Sequence, residues 1–294
     1  MKRWILALGI CIPILSFGQD DLMSMAENIS KDRTPVSTFK GIRIINGHSV
    51  ETVGKNNLDF IIQHRFGPVN LGIKEFFGLD AGVIRLGLEY GINDRLMVGI
   101  GRGSYQKTVD MFTKYRVLRQ TAESGGVPLS LSVFSSYAIR TQQPASGNLS
   151  ATDRSSYSGS LLIARKFNDR FSVQLSPCFI YRTLPDYAND KKMVTAFGLG
   201  GRFKLTKRTS FNMEWFYVLP HQLDPSYTNN FSVGFDIETG GHVFQLDFTN
   251  SYGMSERQFI TETIGTWGNQ DIHFGFNISR TFNMNKKTTS YEKQ

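Results

Sequence analysis

Between Leu58 and Phe282 apolar and polar residues alternate with a period of two, in runs of about ten residues set apart by turn signals. Ile84, Leu86, Leu88 and Tyr90 share one face, while Arg85, Gly87 and Glu89 share the other. Phe171, Val173, Leu175, Phe179 and Tyr181 likewise oppose Ser172, Gln174, Ser176 and Arg182. Successive side chains of a strand point to opposite faces, so each run is a strand with one apolar and one polar surface. The pattern predicts twelve of them, at 57–66, 82–91, 95–105, 108–119, 128–141, 154–167, 170–183, 192–206, 209–219, 227–238, 241–252 and 270–282.

The connections fall into two classes. Asn93-Asp94, Asn168-Asp169, Thr206-Lys207 and Gly240-Gly241 are tight hairpin signals. Between them lie longer links, 67–81, 142–153, 184–191, 220–226 and 253–269, rich in Pro, Ser, Asn and Asp, with 105–108 a brief exception. Bacterial outer-membrane barrels keep short turns in the periplasm, long loops outside and an even strand count. With Asn93-Asp94 periplasmic, 57–66 runs outward, 270–282 returns inward, and both barrel ends lie in the periplasm. The expected fold is all-β: an antiparallel up-and-down transmembrane β-barrel of about twelve strands, apolar side out.

The outward row continues through Leu129, Leu131, Val133, Tyr137 and Ile139, then Phe211, Met213, Trp215 and Tyr217, Phe231 to Ile237, and Phe244, Leu246 and Phe248. Turning a strand over would present Arg85 or Arg202 to hydrocarbon, at about 2–4 kcal/mol each near the midplane. Aromatics such as Tyr90, Phe167, Tyr181 and Tyr252 fall near strand ends, where interfacial girdles sit. Residues 19–56 do not follow this grammar. Asn46-Gly47 is a hairpin signal within 39–53, which suits a plug, a periplasmic hairpin, or an extra strand pair that would make fourteen; twelve is the expected number.

Residues 1–18 have the layout of a cleaved secretory signal peptide: Lys2 and Arg3, the apolar stretch Trp4–Leu15, then Ser16-Phe17-Gly18. The domains expected are therefore that signal, an N-terminal periplasmic segment or plug at 19–56, the barrel at 57–282 and a polar tail at 283–294. Without Lys2 and Arg3 there remain 31 basic and 25 acidic residues, a charge of +6. The cations are scattered over strands and turns rather than gathered in a patch, so nucleic acid is not an expected partner. Cys178 is the one cysteine past the signal, so no internal disulfide forms, and parity puts it on the polar side as a small filler. No apolar run reaches the length of a membrane-spanning helix.

Four segments carry a family resemblance: GLDAGVIRLGLEYGINDRLMVGIGRGS from Gly78, LLIARKF from Leu161, GFDIETGGHVFQL from Gly234 and DIHFGFNISRTF from Asp271. They are similar to an uncharacterised family of exported β-barrel proteins from Bacteroidetes, a domain of unknown function. The resemblance implies a barrel in a Gram-negative outer membrane and brings no substrate, partner or catalytic residue. The last strand, with Ile272, Phe274, Phe276, Ile278 and Phe282 in one row, resembles the signal read by the outer-membrane barrel assembly machinery, although Arg280 breaks the row and a tail follows. Expected partners are that machinery, outer-membrane lipid and small solutes.

Chemistry-bearing motifs are few. His48, His64, His221, His242 and His273 show no metal-ligand spacing, so neither metal nor cofactor is expected. G-x-S-x-G is absent, and Ser158, Ser160 and Ser251 lack a neighbouring histidine at a telling spacing. Gly99, Gly101 and Gly103 precede a strand rather than a helix, so they lack the aligned amides of a phosphate loop and serve as space on a concave inner surface. Inward parity gathers Asp59, Arg65, Arg85, Glu89, Asp110, Lys114, Arg116, Arg182, Arg202, Lys204, Glu214, Asp236 and Asp247 as lumen-lining candidates. Phe112, Leu162, Phe216 and Val218 also point inward, which narrows any pore. The residues read as a narrow, porin-like channel or transporter for small polar solutes and not as an enzyme. A non-transporting anchor or scaffold is the alternative reading, and a membrane-embedded hydrolase a third.

Overall fold

The computed structural model describes residues 35–122, 125–144, 147–239 and 242–285; residues 1–34, the Gly240-Gly241 turn and the tail from 286 onward lie outside the described residues. Twelve strands are formed: β1 (Asn57–Pro68), β2 (Gly82–Gly91), β3 (Leu96–Gly103), β4 (Thr108–Leu118), β5 (Ser130–Arg140), β6 (Ser155–Lys166), β7 (Phe171–Arg182), β8 (Met193–Lys204), β9 (Thr209–Val218), β10 (Asn230–Thr239), β11 (His242–Thr249) and β12 (His273–Asn283). Each pairs antiparallel with its sequence neighbours, and β1 pairs with β12 to close the ring. Closure leaves no edge, which lipid requires because it cannot hydrogen-bond free N–H and C=O groups. The twelve expected strands are all present, and residues 39–53 add none, so the fourteen-strand alternative falls.

The strand starts at 230 and 273 come later than the residue pattern predicts because the loops take the intervening groups. Thr228 N donates to Thr263 O (2.8 Å), and Val69 N donates to Ile272 O (2.9 Å). At one end of the barrel three turns share one device. Asn93 Oδ1 accepts from the amides of Arg95 and Leu96 (both 2.8 Å), Asn168 Oδ1 from Arg170 and Phe171 (2.8 and 2.9 Å), and Thr206 Oγ1 from Arg208 and Thr209 (3.2 and 3.0 Å). The β4–β5 connection at this end is longer and holds the N-terminal segment, with Val36 N donating to Gln120 O (2.9 Å).

Burial alternates as the pattern requires. In β2, Val83, Arg85, Gly87 and Glu89 are buried while Ile84, Leu86 and Leu88 are exposed. The outward row passes through Ile100, Met111, Val133, Leu161, Leu175, Leu199 and Leu246, all exposed to the surroundings and therefore to lipid. Aromatic rings cluster at the strand ends: Phe66 stacks on Phe274 (5.7 Å), which meets Phe248 (5.4 Å), and Phe167 lies against Phe171 (5.9 Å). Arg280, the residue that breaks the apolar row of β12, stands near a strand end with its guanidinium 4.9 Å from the Phe282 ring, so its charge reaches the interface rather than the hydrocarbon. Among the described residues no helix is long and apolar enough to cross a membrane.

Leu88 lies between Phe60 of β1 and Ile100 of β3 near the middle of the lipid-facing surface. Leu88→Arg should destabilise the folded barrel by about 2–4 kcal/mol, read as a shifted midpoint in urea-driven unfolding from lipid vesicles. An unchanged midpoint would contradict a lipid-facing position.

Candidate functional site

The lumen is the place where inward side chains from all round the ring meet, and it is occupied by the chain's own N-terminal segment. Thr38, Phe39 and residues 42–50 are buried. They turn back at Asn46-Gly47, with Ile44 N donating to Gly47 O and Ser49 N to Ile42 O (both 2.9 Å). Gly47 is needed there because a Cβ would fall 2.7 Å from Phe216 Cζ. Both limbs of this hairpin start from the short-turn end: Thr52 Oγ1 donates to Asp94 O (3.0 Å), and Lys55 N to Asp94 Oδ1 (3.1 Å).

Barrel side chains grip the hairpin through its backbone. The Glu214 carboxylate accepts from three successive amides at the tip, Ile45 (3.2 Å), Asn46 (2.8 Å) and Gly47 (3.1 Å). Lys114 Nζ donates to the carbonyls of Ser49 (2.9 Å) and Ile42 (3.3 Å). The Gln174 amide takes both groups of one limb, accepting from Val50 N and donating to His48 O (both 2.8 Å). Ser132 donates to Val50 O (2.8 Å), Gln245 to Ile44 O (2.5 Å) and Asn277 to Ile45 O (3.1 Å). Arg65 Nη2 reaches Asn46 Oδ1 (3.0 Å). Inside a barrel an unmatched backbone group is costly, and these side chains replace the partners that a sheet or water would offer.

The lumen-lining candidates thus divide into three groups. Glu214, Lys114 and Arg65 bind the hairpin directly, Glu89 meets Arg43 of the hairpin (3.5 Å), and Arg116 donates to Thr52. A second group pairs across the barrel wall. Arg85 forks onto Asp110 (Nε to Oδ1, 2.9 Å), and Arg65 Nε lies 3.3 Å from Asp247. Both pairs skip a strand, and each crosses a glycine: a Cβ on Gly101 would sit 2.2 Å from Arg85 Nη2, and one on Gly275 would sit 2.7 Å from Arg65 Cδ. Gly101 and Gly275 are the gaps through which these two guanidiniums reach carboxylates two strands away. The third group lies toward the ends. Arg182 pairs with Asp190 (3.1 Å), Arg202 stands 3.9 Å from Glu238, Asp236 accepts from Gln245 (2.6 Å), Asp59 accepts from Thr281 (3.0 Å), and Lys204 is half-buried at the end of β8. Phe112, Leu162 and Phe216 are buried, and Val218 packs against Phe216 and its neighbours. Cys178, also inward, gives its thiol to Ala196 O (3.4 Å).

A second insert comes from the opposite end and was not expected from the residue pattern. The long β11–β12 connection carries a short helix, α1 (Glu256–Thr261), whose Phe259 and Ile260 are buried against Ile180, Ala196 and Phe216. Its signal was legible: Ser255 followed three residues on by Gln258, then Phe259-Ile260. Gln258 Oε1 accepts from Ser255 N (3.2 Å) as in a capping box. The two inserts meet at His48 and Glu256, 3.7 Å apart. Burial, then the charges of Arg43, Lys114 and Arg85, hold the His48 pKa well below the ordinary 6.5, so this approach is not an ion pair. Burial raises the Glu256 carboxyl, against Arg43 and with Asp110. Only about 20 Å³ of space remains beside them, bounded by His48, Ser160, Cys178, Phe216 and Glu256, the room of a single water. On either side the barrel opens again, into about 250 Å³ lined by Arg140, Gln142 and Leu184 at the long-loop end and about 350 Å³ lined by Lys40, Asp59 and Arg116 at the other.

His273 Nδ1 pairs with Phe66 O (2.8 Å), His64 stacks on Phe276 (5.1 Å), and His242 packs on Phe244 (6.0 Å). Among the described residues no three His, Cys, Asp or Glu side chains are grouped as metal ligands.

Two outcomes follow from the grip on the hairpin. Glu214→Ala leaves three buried amides without acceptors, at about 1–3 kcal/mol each if none finds a new partner. Amide exchange at residues 45–47 should accelerate at least tenfold, about 1.4 kcal/mol, and unchanged protection would contradict the grip. Because the folded protein disfavours protonated His48, its stabilising contribution is complete above the unfolded value near 6.5 and is lost as pH falls below it. Hairpin amides should therefore exchange faster at pH 5 than at pH 7 after correction for intrinsic rates, a difference that His48→Gln should remove.

Among curated proteins none matches this chain. Solved structures with a similar outline include the NanC porin (8% identity, 76% of this chain and 98% of that one, TM-score 0.47). The KdgM porin is similar at 10% identity over 77% and 99%, with TM-score 0.45. Outer membrane phospholipase A from Escherichia coli matches at 11% identity over 76% and 89%, with TM-score 0.43. The family described as membrane bound beta barrel domain (DUF5777) matches residues 39–282, which takes in the lumenal hairpin together with every strand but the final residue of β12. With most of its length inside that match and its strands closed into one ring, the chain belongs to this family of membrane-bound β-barrel domains.

Proposed function

We propose that the protein is an outer-membrane channel for small polar solutes, closed at rest by its own N-terminal hairpin. The observation that carries this reading is the arrangement of one narrow waist, filled by the two inserts, between two open vestibules of about 250 and 350 Å³. A barrel that served only as an anchor has no need of an open vestibule at each end. The hairpin is a feasible gate because both its limbs leave toward the short-turn end, so it can withdraw without threading the ring. Most of its bonds to the barrel join a side chain to a backbone group, and water can replace these one by one during withdrawal. The apolar outer surface and the alternation of turn lengths support placement in an outer membrane with the short turns periplasmic. The runner-up, a non-transporting scaffold, draws on the same grip: so many matched polar groups also suit a permanent plug.

Single-channel recording in planar bilayers separates the two. Full-length protein should be mostly silent, Glu214→Ala should open more often, and a variant lacking 35–50 should conduct steadily. A silent deletion variant that is still folded, judged by its resistance to unfolding in cold detergent, would leave the scaffold reading in possession.

A further inference from the structure

Cations that are scattered along the chain come together where two neighbouring short turns meet. The β6–β7 connection brings Arg165, Phe167 and Arg170, and the β8–β9 connection brings Leu205, Lys207 and Arg208. Because β7 pairs with β8, with Phe171 opposite Phe203, and Lys204 N donates to Arg170 O (2.7 Å), the two turns form one stretch of rim. Arg165, Arg170, Lys207 and Arg208 are all exposed on it.

The turns use only the backbones of these residues. Arg170 N donates to Asn168 Oδ1 (2.8 Å), Arg208 N to Thr206 Oγ1 (3.2 Å), and Arg208 O accepts from Glu238 N (2.8 Å). Among the described residues none of the four side chains has an ion-pair or hydrogen-bond partner. The carboxylates at hand are engaged elsewhere: Asp169 lies 3.5 Å from Lys166, and Glu238 lies 2.9 Å from Lys40 and 3.9 Å from Arg202. The long-loop end differs, since Arg140, Arg182 and Arg257 are matched there by Asp186, Asp190 and Glu262. This rim therefore keeps positive charge that only an outside group can balance.

The same turns also show what stands beside them. Phe167 (57% exposed) and Leu205 (49%) continue the lipid-facing row of Phe171, Phe203 and Leu199. The Arg165 guanidinium lies 5.3 Å from the centre of the Phe167 ring. An aromatic residue that ends a lipid-facing row marks the headgroup level, so the cations next to it stand among phosphates. An acidic protein would answer the charge and leave the apolar pair bare, whereas a phospholipid covers both.

We propose that the paired turns form a docking site for an anionic phospholipid of the leaflet at the short-turn end. Its phosphate meets Arg165, Arg170, Lys207 and Arg208, and its acyl chains lie on Phe167 and Leu205. The site goes beyond the channel reading and does not rest on it; it needs only a barrel wall that faces lipid.

A fluorophore beside the rim tests this. Leu205→Cys carries a nitrobenzoxadiazole label in a full-length chain that also bears Cys11→Ala and Cys178→Ala, folded into phosphatidylcholine vesicles doped with nitroxide-bearing lipid. Each exposed cation near an anionic headgroup is worth about fivefold. Nitroxide phosphatidylglycerol should therefore quench the label at a mole fraction about twentyfold lower than nitroxide phosphatidylcholine needs. This preference should shrink between about 0.05 and 0.5 M salt. Arg165→Gln with Arg170→Gln, and Lys207→Gln with Arg208→Gln, should each reduce it about fivefold or more. Lys191→Gln with Lys192→Gln, the same loss of charge on exposed residues at the long-loop end, should leave it unchanged. Inorganic phosphate at matched ionic strength should not compete. Equal quenching by the two lipids, a preference that ignores salt or survives both rim pairs, an equal loss in the long-loop pair, or displacement by phosphate would each overturn the proposal. So would a label shielded from both lipids, the sign of a second copy or an acidic protein on the rim. The conductance of the 35–50 deletion is read separately, so either idea can fall without the other.

Discussion

A sheet that closes on itself in lipid acquires two solvents, hydrocarbon outside and whatever the chain provides inside. The outer face is settled by side chains that need no partners. The inner face of this barrel carries Arg65, Arg85, Lys114, Glu214 and Asp247 at or near complete burial, and each must find its counterpart within a narrow enclosure. A buried charge without a partner costs more than most single contacts return. Much of the architecture answers that demand: the glycine gaps beneath Arg85 and Arg65, the carboxylate of Glu214 on the hairpin tip, and the lysine of β4 on the hairpin's carbonyls.

The hairpin and the barrel solve each other's problem. A lone two-limbed segment exposes backbone groups that no sheet neighbour satisfies, and a twelve-stranded ring exposes side chains that no neighbouring strand can reach. Placed together, amides of residues 45–47 meet Glu214, and carbonyls of residues 42, 48 and 49 meet Lys114 and Gln174. The same complementarity makes the seating of the hairpin specific, with most of its bonds joining one polar side chain to one backbone group. Entry of α1 from the other end adds an apolar seal, with Phe259 against Phe216 (5.0 Å), so the waist is closed by two inserts of different character.

The two vestibules differ in their walls. The long-loop mouth is ringed by arginines and carboxylates that largely satisfy one another, while the short-turn mouth is lined by Lys40, Glu51, Asp59 and Arg116 around the roots of the hairpin. His48 and Glu256 mark the level at which the two meet.

Strand number and facing were legible in the residues because a period-two pattern depends only on neighbours in sequence, and because a wrong facing would bury Leu88 or bare Arg85. Inward candidates such as Asp110 and Asp247 followed from the same parity. Their partners did not, since Arg85 meets Asp110 and Arg65 meets Asp247 across an intervening strand, through gaps that only the closed ring aligns. Asn46-Gly47 announced a turn but not its place, because a hairpin of apolar and polar residues fits a lumen, an edge or the periplasm equally until the enclosure around it exists. Local order was determined by the sequence itself; what fills the barrel was decided by tertiary structure, where distant residues compete to satisfy buried charge.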